Sequence, residues 1–316
     1  MRSRHRFPAT LTRTFALLAF LTASGRAGTL ESARSLAAAG DAAGALARME
    51  TGRGVRAPVS VATLRSRVLS TDQVLLEYAA GDRDLVVVLV SQDRCRAAIV
   101  RAGARTLDSL AVAMRDDLAL ESPTLAPARS LYRTLVEPVA QDLPPESRLV
   151  IAADGPLEDL AYAALHDGDA FLCERHAVSR IRSASALAAL AARRIGRRVP
   201  TGLVMSEGPR PAGEIAADTA LVENAPAALQ ADVRRLVFEE RLPPDVALQR
   251  AQREAIRSGR PAREWANAAA WGRMRAVRSD GRFPAWVVPL GLGLGFGTLL
   301  LALRLTSRGQ RADESA

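Results

Sequence analysis

The chain has 316 residues, enough for one substantial domain with appendages. Its net charge of +9 comes from 43 basic residues, every one of them Arg, set against 34 acidic ones. A phosphate-binding surface ordinarily uses Lys beside Arg, and the seven Phe, three Tyr and three Trp are not interleaved with the Arg clusters, so no stacking platform for nucleic acid is expected. Cys95 and Cys173 are too few for a disulfide framework, and no C-x-x-C is present. His5, His166 and His176 form no metal-ligand spacing, so neither a metal nor a cofactor is expected.

Residues 1–27 begin with an Arg-rich stretch, continue through an apolar run from Phe15 to Ala23 and end in small residues. That order fits a secretory signal peptide, the alternative being a worn first helix of a repeat domain. Residues 28–60 come next. Within them, 29–50 read as two short Ala-rich helices broken at Gly40-Asp41, with apolar residues three and four apart. A lone hairpin of this kind lacks the stacked neighbours that stabilise helical repeats. Residues 51–60, with Gly52, Gly54 and Pro58, read as a linker.

From residue 71 the pattern changes. Gln73 to Ala79 and Asp84 to Val90 are β-rich runs separated by a Gly81-Asp82 hairpin signal, and Cys95 to Val100 is a third. Helices are predicted over 107–119 and over Ala126 to Asp142, the second with Tyr132, Leu135 and Val136 on its apolar side. The stretch 148–181, RLVIAADGPLEDLAYAALHDGDAFLCERHAVSRI, reads as strand, turn, short small-residue helix and second strand. A helix follows from Ser183 to Arg194.

Residues 148–181 resemble the signature segment of CHAT domains, the caspase-like domains often found behind tetratricopeptide repeats in bacteria. The opening runs, with Leu75-Leu76-Glu77-Tyr78, resemble that family's first meander, and residues 29–50 resemble one tetratricopeptide hairpin. The later blocks are similar too. TGLVMSEGPRPAGEIAADTALV (201–222) resembles a late family strand with an acidic turn into a helix, 242–259 its late amphipathic helix, and EWANAAAWGRM (264–274) its closing segment. The resemblance covers 71–276 in two blocks that meet at Arg193-Arg194-Ile195-Gly196-Arg197-Arg198. It implies an α/β fold, a caspase-like sheet flanked by helices and truncated in the middle. The family's two catalytic motifs, a His-Gly and a Ser-Ala-Cys-Glu, occur nowhere in the sequence. The resemblance therefore implies a degenerate cysteine-peptidase-like domain, not an enzyme. Its partners would be proteins, such as active CHAT or helical-repeat proteins.

Residues 285–303 form an uncharged run of 19, with Trp286 near one end and Arg304 beyond the other. At about 1.5 Å per residue such a run nearly spans a hydrocarbon core, so one C-terminal transmembrane helix is expected, with 304–316 as a basic, polar tail. The location expected is the membrane, single-pass, in a bacterial cell envelope. Arg residues flank the span on both sides, so orientation stays open. Gly291/Gly295 and Gly293/Gly297 permit close helix packing or are low complexity.

No residue is predicted to be catalytic. Cys173 and His176 lie three apart in an apparent strand, which sends their side chains to opposite faces. Cys173 is then a core cysteine, and the alternative is the nucleophile of an atypical or partner-completed peptidase. Cys95 stands at a strand start with no histidine near it. His166 falls in a turn that reads as a solvated loop. Asp154, Glu158 and Asp159 fit capping of a helix N-terminus better than an acid–base pair. Arg193, Arg194, Arg197 and Arg198 read as a solvated linker or as contacts to anionic headgroups.

Overall fold

The computed structural model describes residues 28–192, 202–207, 219–272 and 274. Residues 1–27, the Arg193–Arg198 stretch, the run 285–303 and the tail 304–316 lie outside them. Among the described residues no helix is long and apolar enough to cross a membrane.

Two antiparallel pairings open the sheet: β1 (Gln73–Ala80), β2 (Leu85–Val90) and β3 (Cys95–Val100) form a meander. The chain then crosses over through α4 (Ala104–Leu118) and α5 (Ala126–Leu135) to β4 (Arg148–Ala152), which runs parallel to β1. The central strand expected at 148–154 is β4, and β5 (Ala177–Ile181) is parallel to it on its other side. With β6 (Gly202–Met205), β7 (Thr219–Glu223) and β8 (Ala269–Trp271), the eight strands lie in the order β3-β2-β1-β4-β5-β8-β7-β6. β8 is parallel to β5 and antiparallel to β7, whereas β6 and β7 are parallel.

Side-chain alternation builds a core on each face. Val74, Leu76 and Tyr78 of β1 point with Leu149 and Ile151 of β4 into a large core. α4, α5, α8 (Ala227–Phe238) and α9 (Pro244–Arg257) cover it. Leu75, Val86, Val88, Val90, Val150 and Ile181 point the other way. α1 (28–38), α2 (Ala42–Gly52), the short α3 (Val61–Thr63) with its π-helical continuation Leu64–Val68, and α7 (Ala184–Ala192) pack there. All six residues of β2, LVVVLV, are buried because both faces are covered.

The two N-terminal helices break at Gly40-Asp41 as expected, and the break has a cause. Gly40 takes φ +81°, and Asp41 caps α2 by accepting the Gly44 N–H at 2.8 Å. Ala33, Ala45, Leu46 and Met49 then bury against the sheet, so the sheet supplies the neighbour that a lone hairpin lacks. A second close fit occurs at Gly103, where a Cβ would sit 2.0 Å from the Asp82 carbonyl oxygen.

Several expectations need correction. The helix expected over Ala126–Asp142 stops at Leu135, because Pro138 cannot extend it, and Glu137–Asp142 is 3₁₀. The small-residue helix after Asp154 is two 3₁₀ turns, Gly155–Leu157 and Tyr162–Ala164. Residues 219–223, expected within a turn leading to a helix, form β7, and α8 follows only after Pro226. Cys173 is not in a strand. It lies on α6 (Leu172–Arg175), and β5 begins only at Ala177, after His176.

Candidate functional site

In open α/β sheets ligands bind beyond the carboxyl ends of the strands, where the chain departs in opposite directions from neighbouring strands. Here that point lies between β1, which leads away to β2, and β4, which leads to β5 on the other side. A polar cluster fills it. Arg53, just past the end of α2, pairs with Glu77 of β1 through Nη1 and donates from Nη2 to the Tyr78 carbonyl at 2.6 Å. Its Nε reaches Asp154, at the end of β4, at 3.5 Å.

Glu77 and a second carboxyl, Glu50 of α2, are both 0 % exposed. They cap a helix that belongs to neither of them. The Ala184 N–H donates to Glu77 Oε2 at 3.1 Å and the Ser185 N–H to Glu50 Oε2 at 3.0 Å. Ser183 Oγ accepts from the Ala186 N–H at 3.1 Å, so three successive amides at the start of α7 are satisfied. These amides and the positive end of the helix dipole favour negative charge here. Burial nevertheless pushes the Glu77 carboxyl well above the usual carboxylate range; Arg53 opposes that rise and the adjoining Glu50 adds to it. Glu50 Oε1 is buried with no hydrogen-bond partner.

Residues 51–60, expected to be a linker, thus carry the central cation, and Val59 N–H is tied to Ser185 Oγ at 3.0 Å. Asp154 does not cap the turn that follows it, because its side chain makes no capping bond there and faces Arg53.

A second cluster lies on the opposite face. Arg180 of β5 is 5 % exposed, between the rings of Tyr162 and Trp271 at 5.6 and 5.4 Å from their centroids. It donates to the Glu158 carbonyl at 3.2 Å and to the Leu160 carbonyl. Glu223 lies 3.9 Å away and accepts from the Trp271 indole N–H. Burial lowers the Arg180 pKa, and neighbouring charges counter it only in part. Beside it is a cavity of about 10 Å³, room for one water, lined by Val178, Arg180, Leu248 and Gln252 among others.

The cysteines and histidines lie in other places. Cys173 is buried in the large core, and burial drives its thiol far up, so the thiolate needed by a nucleophile is suppressed. Cys95 starts edge strand β3, half-buried, and burial raises it against the opposing charge of Arg65. His176 engages Ser147: Nδ1 lies 3.1 Å from Oγ and 3.2 Å from the carbonyl oxygen, at the amino ends of β4 and β5. His166 is buried and not solvated as expected. Its ring packs edge-on against Phe171 at 4.9 Å, and Nδ1 accepts the Gly168 N–H at 3.0 Å. Among the described residues no group of three or more His, Cys, Asp or Glu could hold a metal ion.

The Glu50–Arg53–Glu77 cluster was missed from sequence. Its one legible trace is Glu77, a carboxylate on an otherwise apolar strand whose alternation aims it at the face shared with Leu75 and Val150.

No curated protein sequence matches the chain. A family model does: residues 125–241 match the CHAT domain. The match runs from the residue before α5 to just beyond α8 and includes all of 148–181. The resemblance read from those residues stands, and this chain carries a CHAT domain.

Proposed function

We propose that this is a membrane-anchored CHAT-domain protein that is catalytically inactive and acts by binding other proteins, as an interaction or scaffold module. The observation that carries the reading is in the sequence: neither a His-Gly nor a Ser-Ala-Cys-Glu is present. The arrangement of the remaining candidates supports it. A cysteine peptidase needs a thiolate beside an imidazole, with donors aimed at the developing oxyanion. Cys173 is a core side chain whose thiol is held protonated, and the nearest histidine in sequence, His176, is engaged with Ser147. At the carboxyl ends of β1 and β4 stands Arg53, paired with Glu77 and Asp154. Such a domain offers its surface and its anchored position, with active CHAT or helical-repeat proteins as the partners the family context suggests.

The test is labelling of the full chain with a thiol-reactive peptidase probe, alongside a Cys173→Ala variant. The expected result is no labelling at Cys173 in the folded protein and no change in any peptide hydrolysis on substitution. Specific labelling, or activity lost in Cys173→Ala, would make the chain an atypical or partner-completed peptidase.

A further inference from the structure

The Glu50–Glu77 cluster has four carboxyl oxygens and three donors. Glu77 Oε1 takes the Arg53 guanidinium, Glu77 Oε2 the Ala184 N–H and Glu50 Oε2 the Ser185 N–H. Glu50 Oε1 is left with none, at zero exposure. Among the described residues Arg53 is the one cation bonded to the cluster, and it is shared with Asp154. Two adjoining carboxylates shielded from solvent, with one shared cation, repel each other strongly. A proton relieves both defects at once, because it removes one charge and gives the orphaned oxygen a hydrogen bond to make.

The two carboxyls belong to different layers. Glu50 sits on α2 of the N-terminal hairpin, Glu77 on β1. We propose that they share one proton, and that this proton latches the hairpin α1–α2 onto the sheet, so that the hairpin lifts when the pair loses it at alkaline pH. The groups facing the pair are Arg53 from the end of α2, Asp154 beyond it from the end of β4, and the amides of Ala184 and Ser185 from α7. None of these supplies a second positive charge to replace the proton. Release would uncover Leu75, Val86, Val88 and Val150, the apolar face on which Ala45, Leu46 and Met49 rest. A change in pH would thereby open a binding surface.

Glu50→Gln is the discriminating variant, since its amide offers at every pH the hydrogen that the carboxyl holds only when protonated. Amide hydrogen exchange of the full chain in mild detergent, wild type against Glu50→Gln at each pH from 6 to 10, cancels the intrinsic chemistry of exchange. Above the titration of the pair, α1–α2 of the wild type should exchange at least tenfold faster than in Glu50→Gln, with α4 and α5 equal in both. Infrared difference spectra at neutral pH should show a protonated carboxyl that Glu50→Gln lacks. Equal exchange at all pH values, or no protonated carboxyl in the wild type, would overturn the latch. A Glu50→Gln chain already open at neutral pH would overturn it as well.

Discussion

Arg148 and Asp245 show what a buried ion pair does at one residue. Asp245, 0 % exposed, accepts from Nε and Nη2 of Arg148, both at 2.9 Å, and the guanidinium also donates to the Met274 carbonyl at 2.7 Å. Burial raises the Asp245 carboxyl and Arg148 offsets that rise only in part, so Asp245 depends on its partner. Asp245→Ala should destabilise the domain by at most about 3–5 kcal/mol in urea titrations, since the guanidinium still keeps a 3.4 Å contact to the exposed Asp72 and its bond to the Met274 carbonyl. Arg148→Met, which takes away the charge from the other side, strands Asp245 instead and should cost a similar amount. His176 behaves differently. Burial lowers its pKa, so its neutral form is the native one. Stability from that group is present above its unfolded pKa of about 6.5 and is lost as pH falls through the lower folded value. His166 is lowered for the same first reason and acts in the same direction. Between pH 7 and pH 5 this loss opposes the gain from the raised Glu77 carboxyl, so it is read as a difference: the melting temperature of the wild type should fall relative to His176→Gln as the pH is lowered from 7 to 5.

Among elements, the meander β1–β3 depends on how tightly the following loop closes over it. Gly103 precedes α4 with its would-be Cβ 2.0 Å from a backbone oxygen that cannot swing aside, in the Gly81–Asp84 turn. Gly103→Ala should cost about 1–3 kcal/mol, as overpacking does, visible as a lowered urea midpoint with an unchanged slope. Such elements also show what a sequence can and cannot reveal. β1, β2 and β4 were legible because short apolar runs of Val, Leu, Ile and Tyr bounded by turn residues have few other solutions. Cys173 was misplaced because FLCERHAVSRI is apolar enough to pass for one strand, whereas its first half is a single helical turn held by Glu174 accepting the Phe171 N–H at 2.8 Å. β7 and β8 escaped because Ala220 and Ala270 carry little β signal, and their burial comes from the helices packed on them. Arg53 was hidden for another reason. A lone Arg in a Gly- and Pro-bearing segment reads as spacer until the partner 24 residues later, Glu77, folds back against it.

For the molecule as a whole, the open question is attachment. The run 285–303 contains no charged residue, and placing one at mid-span costs about 2.5–3.5 kcal/mol on insertion scales. If that run anchors the domain, the full chain stays with membranes through high-salt and carbonate washing, because apolar burial is not screened as Arg–headgroup attraction is. Truncation after Arg282 then releases a folded domain, and Leu294→Arg weakens insertion. A full chain that washes off with salt would refute the anchor.

The helix α7 has a bearing on the order in which this protein assembles. Its first amides are satisfied by Glu77 and Glu50, respectively 107 and 135 residues earlier in the chain. During synthesis those carboxylates emerge long before the helix they complete, and they remain hydrated until it arrives. Contacts of such sequence separation form slowly, since the loop between them must close first. The docking of α7 is then a late folding step, and until it occurs the part of this apolar face around Ile181, which Ala184 and Leu187 cover, stays open beside the hairpin. A chain stalled before residue 184 would present that face to any chaperone within reach.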